Sequence, residues 1–251
     1  VTIHQHADEI ARNARAWRDR PLLREIYAGF YQRIAAAIEP GAGAVIELGS
    51  GIGNLRRAIG DAILTDVFVH DWLDVACSAY RLPFRDGAAR AIVLFDVFHH
   101  LRRPVAALAE CARVLAEGGR VIIFDVYVSL TSFAVYAMHP ERVRWRAPID
   151  LSAEAPSTDD YYAAQGNATR MFFRDSVWRP ASAGRGPAEA GPYTILRAEA
   201  FSAWHYLLSG GFSKPALYPR WALPLLRWLD ARLSAAPRLF GGRCLVVLEK
   251  R

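Results

Sequence analysis

The sequence predicts an α/β chain built around a doubly wound, mostly parallel sheet of about seven strands. Short, continuously apolar runs, which suit strands buried on both faces, alternate with stretches of helical periodicity. A glycine cluster, Gly49, Gly51 and Gly53, directly follows the first such run. The 251 residues, 53% of them hydrophobic, suffice to bury one large core.

In chain order, residues 1–40 read as two helices. Ile10, Ala14 and Trp17 share a face of the first, and Leu23, Ile26, Tyr27, Phe30, Tyr31, Ile34 and Ile38 recur at three and four residues in the second. Pro21 marks a helix start, and Pro40 with Gly41 marks an end. The core spans 41–126. AVIEL (44–48) is a strand, GSGIG (49–53) a loop, and NLRRAIG (54–60) is compatible with a helix. AILTD (62–66) is a second strand, a third lies around LDVACSA (73–79), and AIVLFD (91–96) is the fourth. PVAALAECARVLAEGG (104–119) reads as an amphipathic helix, with Pro in its first turn and Gly at its end, and leads into a fifth strand, RVIIFDV (120–126). Over 127–192 the periodicity weakens and Pro, Gly, Ser and Asp accumulate, so this stretch is expected to be an insertion that lids the sheet's C-terminal edge. Residues 193–201 form a sixth strand, 221–234 an amphipathic helix, and 243–249 a last strand. One domain over 1–251 is expected.

The net charge of +6 is almost all arginine, since Lys214 and Lys250 are the only lysines, and it is spread along the chain. Nucleic-acid binding is therefore not the favoured class. Cys77, Cys111 and Cys244 are odd in number and set among apolar neighbours, which suits buried thiols and a cytoplasmic setting. No apolar run approaches the ~18 residues of a bilayer span, and the N-terminus lacks a secretory apolar segment. No His, Asp and Glu set shows metal-ligand spacing, so no metal is expected.

A glycine-rich turn after a strand lets backbone approach a ligand. The dinucleotide fingerprint needs a sixth-position glycine, where this chain has Asn54, and Glu47 at the strand end would repel a pyrophosphate. That carboxylate suits a cation instead, such as an ammonium or a sulfonium. VIELGSGIGN, Asp66 closing the second strand, SAYRLPFRDGAARAIVLFDVFHHL and ARVLAEGGRVIIFD together resemble the motif regions of class I S-adenosylmethionine-dependent methyltransferases of the small-molecule type, over residues 44–125. SGGFS (209–213) and the closing strand resemble a bacterial subgroup of poorly assigned substrate. The resemblance implies a Rossmann-like sheet, mostly parallel with an antiparallel last strand, and S-adenosylmethionine as cofactor. By position it implies that Gly49, Ser50, Gly51 and Gly53 wrap the methionine portion and that Glu47 sets its ammonium. Asp66 would accept the ribose diol, and Val67 and Phe68 would pack on the adenine. Ser78 stands where the family commonly has an Asp, so the Ala79 backbone would share or carry the adenine contact. Asp96 would lie near the methionine amine or the transfer face.

Methyl transfer needs a base only where the acceptor must lose a proton. His99 and His100 follow the fourth strand and are the candidates; being adjacent in a helical turn, at most one is expected to face the cavity. His139, Asp150, Asp159, Asp160, Tyr161 and Tyr162 lie in the expected lid and are weaker acceptor candidates. Trp72 reads either as a flank for the adenine or as a buried aromatic. In the stretch 218–240, Trp221, Leu225, Trp228 and Leu229 share a face among Arg220, Arg227, Arg232 and Arg238. That helix is expected to pack on the domain with arginines at its rim, ahead of a membrane contact. The acceptor class is a small metabolite or a glycan- or lipid-linked group. The alternative is a protein that binds the cofactor without transferring the methyl.

Overall fold

The computed structural model describes residues 3–138, 143–157, 162–175 and 192–251. Two helices lead in, α1 (Ile3–Asp19) and α2 (Pro21–Ala35). Arg20 between them is extended, and Pro21 opens α2 in the first turn, where its missing N–H leaves no bond unmade. The remaining elements follow as β1 (Ala44–Leu48), β2 (Ala62–Asp66), β3 (Val75–Ala76), β4 (Ala89–Phe95), α3 (Pro104–Val114), β5 (Leu115–Val126), α4 (Ser132–Ala137), α5 (Asn167–Thr169), β6 (Tyr193–Ser202), α6 (Trp204–Leu207), α7 (Leu223–Leu233), α8 (Pro237–Phe240) and β7 (Gly241–Lys250).

The strands form one sheet in the order β3-β2-β1-β4-β5-β7-β6. The first five run parallel, and β7 is antiparallel to both β5 and β6, as the resemblance implied for the last strand. The strand order reverses between β1 and β4, the place where an open α/β sheet leaves a crevice at its C-terminal edge. Helices cover both faces, which is why the central strands read as unbroken apolar runs. On one face Ile46, Leu94, Ile123 and Val246 pack with Leu108 and Cys111 of α3. On the other, Val45, Val93, Phe124 and Val247 pack with Ile26, Phe30 and Ile34 of α2.

Three local expectations are corrected. The segment after the glycine loop makes only a 3-10 turn, Asn54–Arg57, because β2 begins at Ala62 and residues 54–61 must bring the chain back. Helix α3 ends at Val114 rather than 119, since Leu115 is extended and pairs with Ala89 at the start of β4. Helix α7 and the 3-10 turn before it, Arg220–Ala222, turn their apolar face outward: Trp221, Leu225 and Trp228 are 79%, 62% and 55% exposed. The cause is Asp230 on the opposite face, which is buried and accepts hydrogen bonds from Ser202 Oγ, the Trp204 and His205 N–H groups and the His205 ring, so the helix cannot roll its tryptophans inward.

Candidate functional site

A cavity of about 1230 Å³ opens at the C-terminal edge where β1, β2, β4 and β5 end. Its floor is the glycine loop. Gly49, Gly51 and Gly53 all have positive φ, and at Gly49 the constraint is double: φ is +64° and a Cβ there would lie 2.5 Å from Val97 Cγ2. The loop is stapled to β2, with Ser50 N donating to Thr65 O (2.8 Å) and Thr65 N donating to Ser50 Oγ (3.0 Å). Gly51 N donates to Asp66 Oδ2 and Phe68 N to Asp66 Oδ1, each at 3.1 Å. The Asp66 carboxylate is thereby oriented on the cavity wall with a lone-pair site left on each oxygen. Since the loop leads into a 3-10 turn and Gly51 gives its N–H to a carboxylate, this loop is not built to cradle a phosphate.

Glu47 enters from β1, buried, with Oε2 making no hydrogen bond among the described residues. Burial pushes its carboxyl up to about 8, Asp66 adding to the rise and Ser50 and Arg56 opposing it. An unsatisfied buried acceptor on a cavity wall is costly unless a donor meets it there.

Asp96 ends β4 at φ +57°, an unusual conformation for a residue other than glycine. Its N–H donates to Phe124 O, and its Oδ1 accepts from Arg243 Nη1. Arg243 is the third residue of β7 and is buried, with its guanidinium 4.4 Å from the Tyr206 ring centroid. Burial pulls its pKa down, but Asp96 and the tyrosines Tyr206, Tyr136 and Tyr27 outweigh it and hold the group charged. Beside them, His99 Nδ1 lies 2.8 Å from Asp125 Oδ1, and Asp125 Oδ2 accepts from His99 N at 3.2 Å. Burial pushes Asp125 up, but the opposing pull of His99, by charge and hydrogen bond, holds it below the usual carboxylate range. A carboxylate only accepts, so Nδ1 carries the proton in this contact.

Both histidines line the cavity, against the expectation of one, because Phe98–His100 is a 3-10 turn running along its wall. His100 Nδ1 is 2.9 Å from Tyr162 O. Val67, Phe68, Ser78, Ala79 and Tyr162 also line it. The Ser78 hydroxyl accepts from Tyr80 N at 3.3 Å and so holds the turn as well. Gly53 and Trp72 are not on the cavity wall. Trp72 is exposed rather than buried: it stacks on His70, donates Nε1–H to Gly51 O and lies against Gly53. Asp150 accepts from Arg103 Nε and Ser152 N, which pins the loop after residue 143 to the start of α3, away from the cavity. His139, Asp159, Asp160 and Tyr161 lie outside the described residues.

Sequence reasoning missed Arg243 and the role of Asp125. A signal was present: Phe-Asp-Val occurs twice, at 95–97 and 124–126, each closing a central strand. It also missed that Ile10 and Asn13 of α1 and the loop 210–214 complete the wall.

A family model described as a methyltransferase domain matches residues 46–123. "Probable tRNA methyltransferase 9B" of Mus musculus is 42% identical over 53 residues, 20% of this chain and 12% of that protein. "Ubiquinone/menaquinone biosynthesis C-methyltransferase UbiE" of Desulfotalea psychrophila is 30% identical over 110 residues, 37% of this chain and 45% of that protein. The matches thus span less than half the length of these curated relatives. Among solved structures, geranyl diphosphate C-methyltransferase from Streptomyces coelicolor A3(2) aligns with a TM-score of 0.48 at 10% identity, covering 90% of this chain and 79% of that one.

Proposed function

We propose that the chain is a class I S-adenosylmethionine-dependent methyltransferase that transfers a methyl group from S-adenosylmethionine to a small or lipid-linked acceptor held beside His99. The observation that carries the reading is the pairing, on one cavity, of the unsatisfied Glu47 Oε2 with the oriented Asp66 carboxylate. These residues fit the cofactor's two polar ends. Glu47 would accept from the methionine ammonium, and Asp66 would take the ribose diol with one oxygen for each hydroxyl. Gly49, Ser50 and Gly51 would approach the methionine portion by backbone. Val67 and Phe68 would pack on the adenine, and Ser78 and Ala79 would border it.

When bound, S-adenosylmethionine supplies an electrophilic methyl on a sulfonium that leaves as a neutral thioether. The chain's part is then to orient, to exclude water and to take a proton where the acceptor carries one. Asp125 holds the His99 ring by Nδ1, so Nε2 is the nitrogen that would take that proton, and the Arg243–Asp96 pair fixes the floor next to it. Val135, Tyr136, Val143, Tyr162 and Leu207 supply an apolar wall, while Arg12, Arg102 and Arg144 lend positive charge. This lining supports an acceptor with an apolar body and an anionic group.

Calorimetry with S-adenosylhomocysteine tests the cofactor half. Replacing Asp66 by Ala removes two charge-assisted hydrogen bonds, each of about 1.5–3 kcal/mol, and should weaken binding at least a hundredfold; unchanged binding would defeat the reading. For the acceptor half, release of S-adenosylhomocysteine is followed with pools of small acids, polar lipids and bulk transfer RNA. Turnover with RNA alone would reject the small or lipid-linked acceptor.

A further inference from the structure

We propose that the outward face of α7 docks on a membrane surface carrying anionic headgroups. Trp221, Leu225, Trp228 and Leu229 recur at helical spacing and are all exposed, with Leu217 exposed just ahead of them. Leu223 and the hydrogen-bonded Asp230 hold the other face of the helix against the body of the protein. Three arginines, Arg220, Arg227 and Arg232, border the exposed face. Arg220 and Arg227 share Glu25, while Arg232 lies 5.1 Å from the Trp228 ring centroid and makes no ion pair among the described residues. Tryptophan with aliphatic neighbours and an arginine border is the composition that settles at a lipid–water interface, the indole in the headgroup layer and the cations on its negative charge.

The same composition argues against two rivals. A second copy set symmetrically on this face would oppose arginine to arginine. A nucleic acid would leave Leu217, Leu225 and Leu229 without partners. The position of the face gives the docking a purpose. Asp230 binds Ser202, the last residue of β6, and the loop 210–214 that lines the cavity runs directly into Leu217. Docking would therefore bring the cavity mouth near the bilayer. The proposal stands apart from methyl transfer: no helix of the described residues is long and apolar enough to cross a membrane, and surface docking needs none.

The test is flotation of the full chain with vesicles of phosphatidylglycerol mixed into phosphatidylcholine, against vesicles of phosphatidylcholine alone, alongside tryptophan emission. Retention on the anionic vesicles with a blue shift is expected. Trp221→Ala with Trp228→Ala should abolish both signals, and Arg232→Gln should lower partitioning about fivefold. Melting curves and S-adenosylhomocysteine binding of all variants should match the parent, so a loss of docking is separable from a loss of fold or of cofactor. Equal retention on both vesicle types, no retention, retention untouched by the substitutions, or a dimer that the tryptophan variant dissolves would each overturn the proposal.

Discussion

Replacing Glu47 by Gln removes a carboxyl that burial pushes up to about 8. At neutral pH that carboxyl mostly keeps its proton, whereas an ammonium docking at Oε2 requires the carboxylate. Ionising a group about one unit below its pKa costs about 1.4 kcal/mol, so S-adenosylhomocysteine should bind about tenfold more weakly at about pH 7 than above about pH 8. Binding near pH 7 should also release about one proton. Titration calorimetry from about pH 6 to about pH 9, in buffers of different ionisation enthalpy, reads both quantities. The affinity should climb about tenfold per pH unit and flatten above about pH 8. The Gln variant should show no slope and no released proton, and above pH 8 should bind between about tenfold and a hundredfold more weakly than the parent. Stability carries the same signature. The unfolded carboxyl ionises near 4.5 and the folded one near 8, so between these values the folded state holds more protons and stability falls as pH rises. The Gln variant should lack that fall. Heats independent of buffer near pH 7, together with a flat affinity profile in the parent, would refute the placement of an ammonium at Glu47.

Asp125→Asn keeps the shape beside His99 but removes its charge; turnover should drop on the order of a hundredfold or more while S-adenosylhomocysteine affinity holds, read by steady-state kinetics and calorimetry. Gly49→Ala should destabilise the protein by about 1–3 kcal/mol in denaturant titration, from the contact with Val97 and the positive φ; adding Val97→Ala should recover only the steric part. Arg243→Met leaves Asp96 without its cation and should cost about 3–5 kcal/mol in urea unfolding, of which Asp96→Asn in the same chain restores the larger share.

What the sequence revealed and what it hid divide by the distance over which each feature is decided. The glycine loop and Asp66 are legible because their constraints are local: positive φ at Gly49, Gly51 and Gly53, and a carboxylate at a strand end. The central strands are legible because burial on both faces keeps polar residues near the strand ends, as with Glu47 in β1 and Thr65 in β2. Helix α3 was read too long because nothing in LAEGG announces that Leu115 will pair with Ala89. The outward face of α7 was misjudged because the decision belongs to Asp230, whose partners Ser202, Trp204 and His205 lie on other elements. The Arg243–Asp96 pair joins residues 147 apart in sequence, and an arginine opening an apolar strand looks like an edge residue until the sheet order is known.

Strand β7 lies between β5 and β6 and, among the described residues, is the only neighbour of β6 in the sheet. Although β6 is synthesised first, it has no place to dock until β7 has emerged from the ribosome, and the cation that neutralises Asp96 arrives on that same late segment. A nascent chain halted before residue 241 would hold a glycine loop and Asp66 but an uncompensated acid at the reaction floor and an orphan strand at the sheet edge. Assembly of the centre is thereby tied to translation of the strand that locks it.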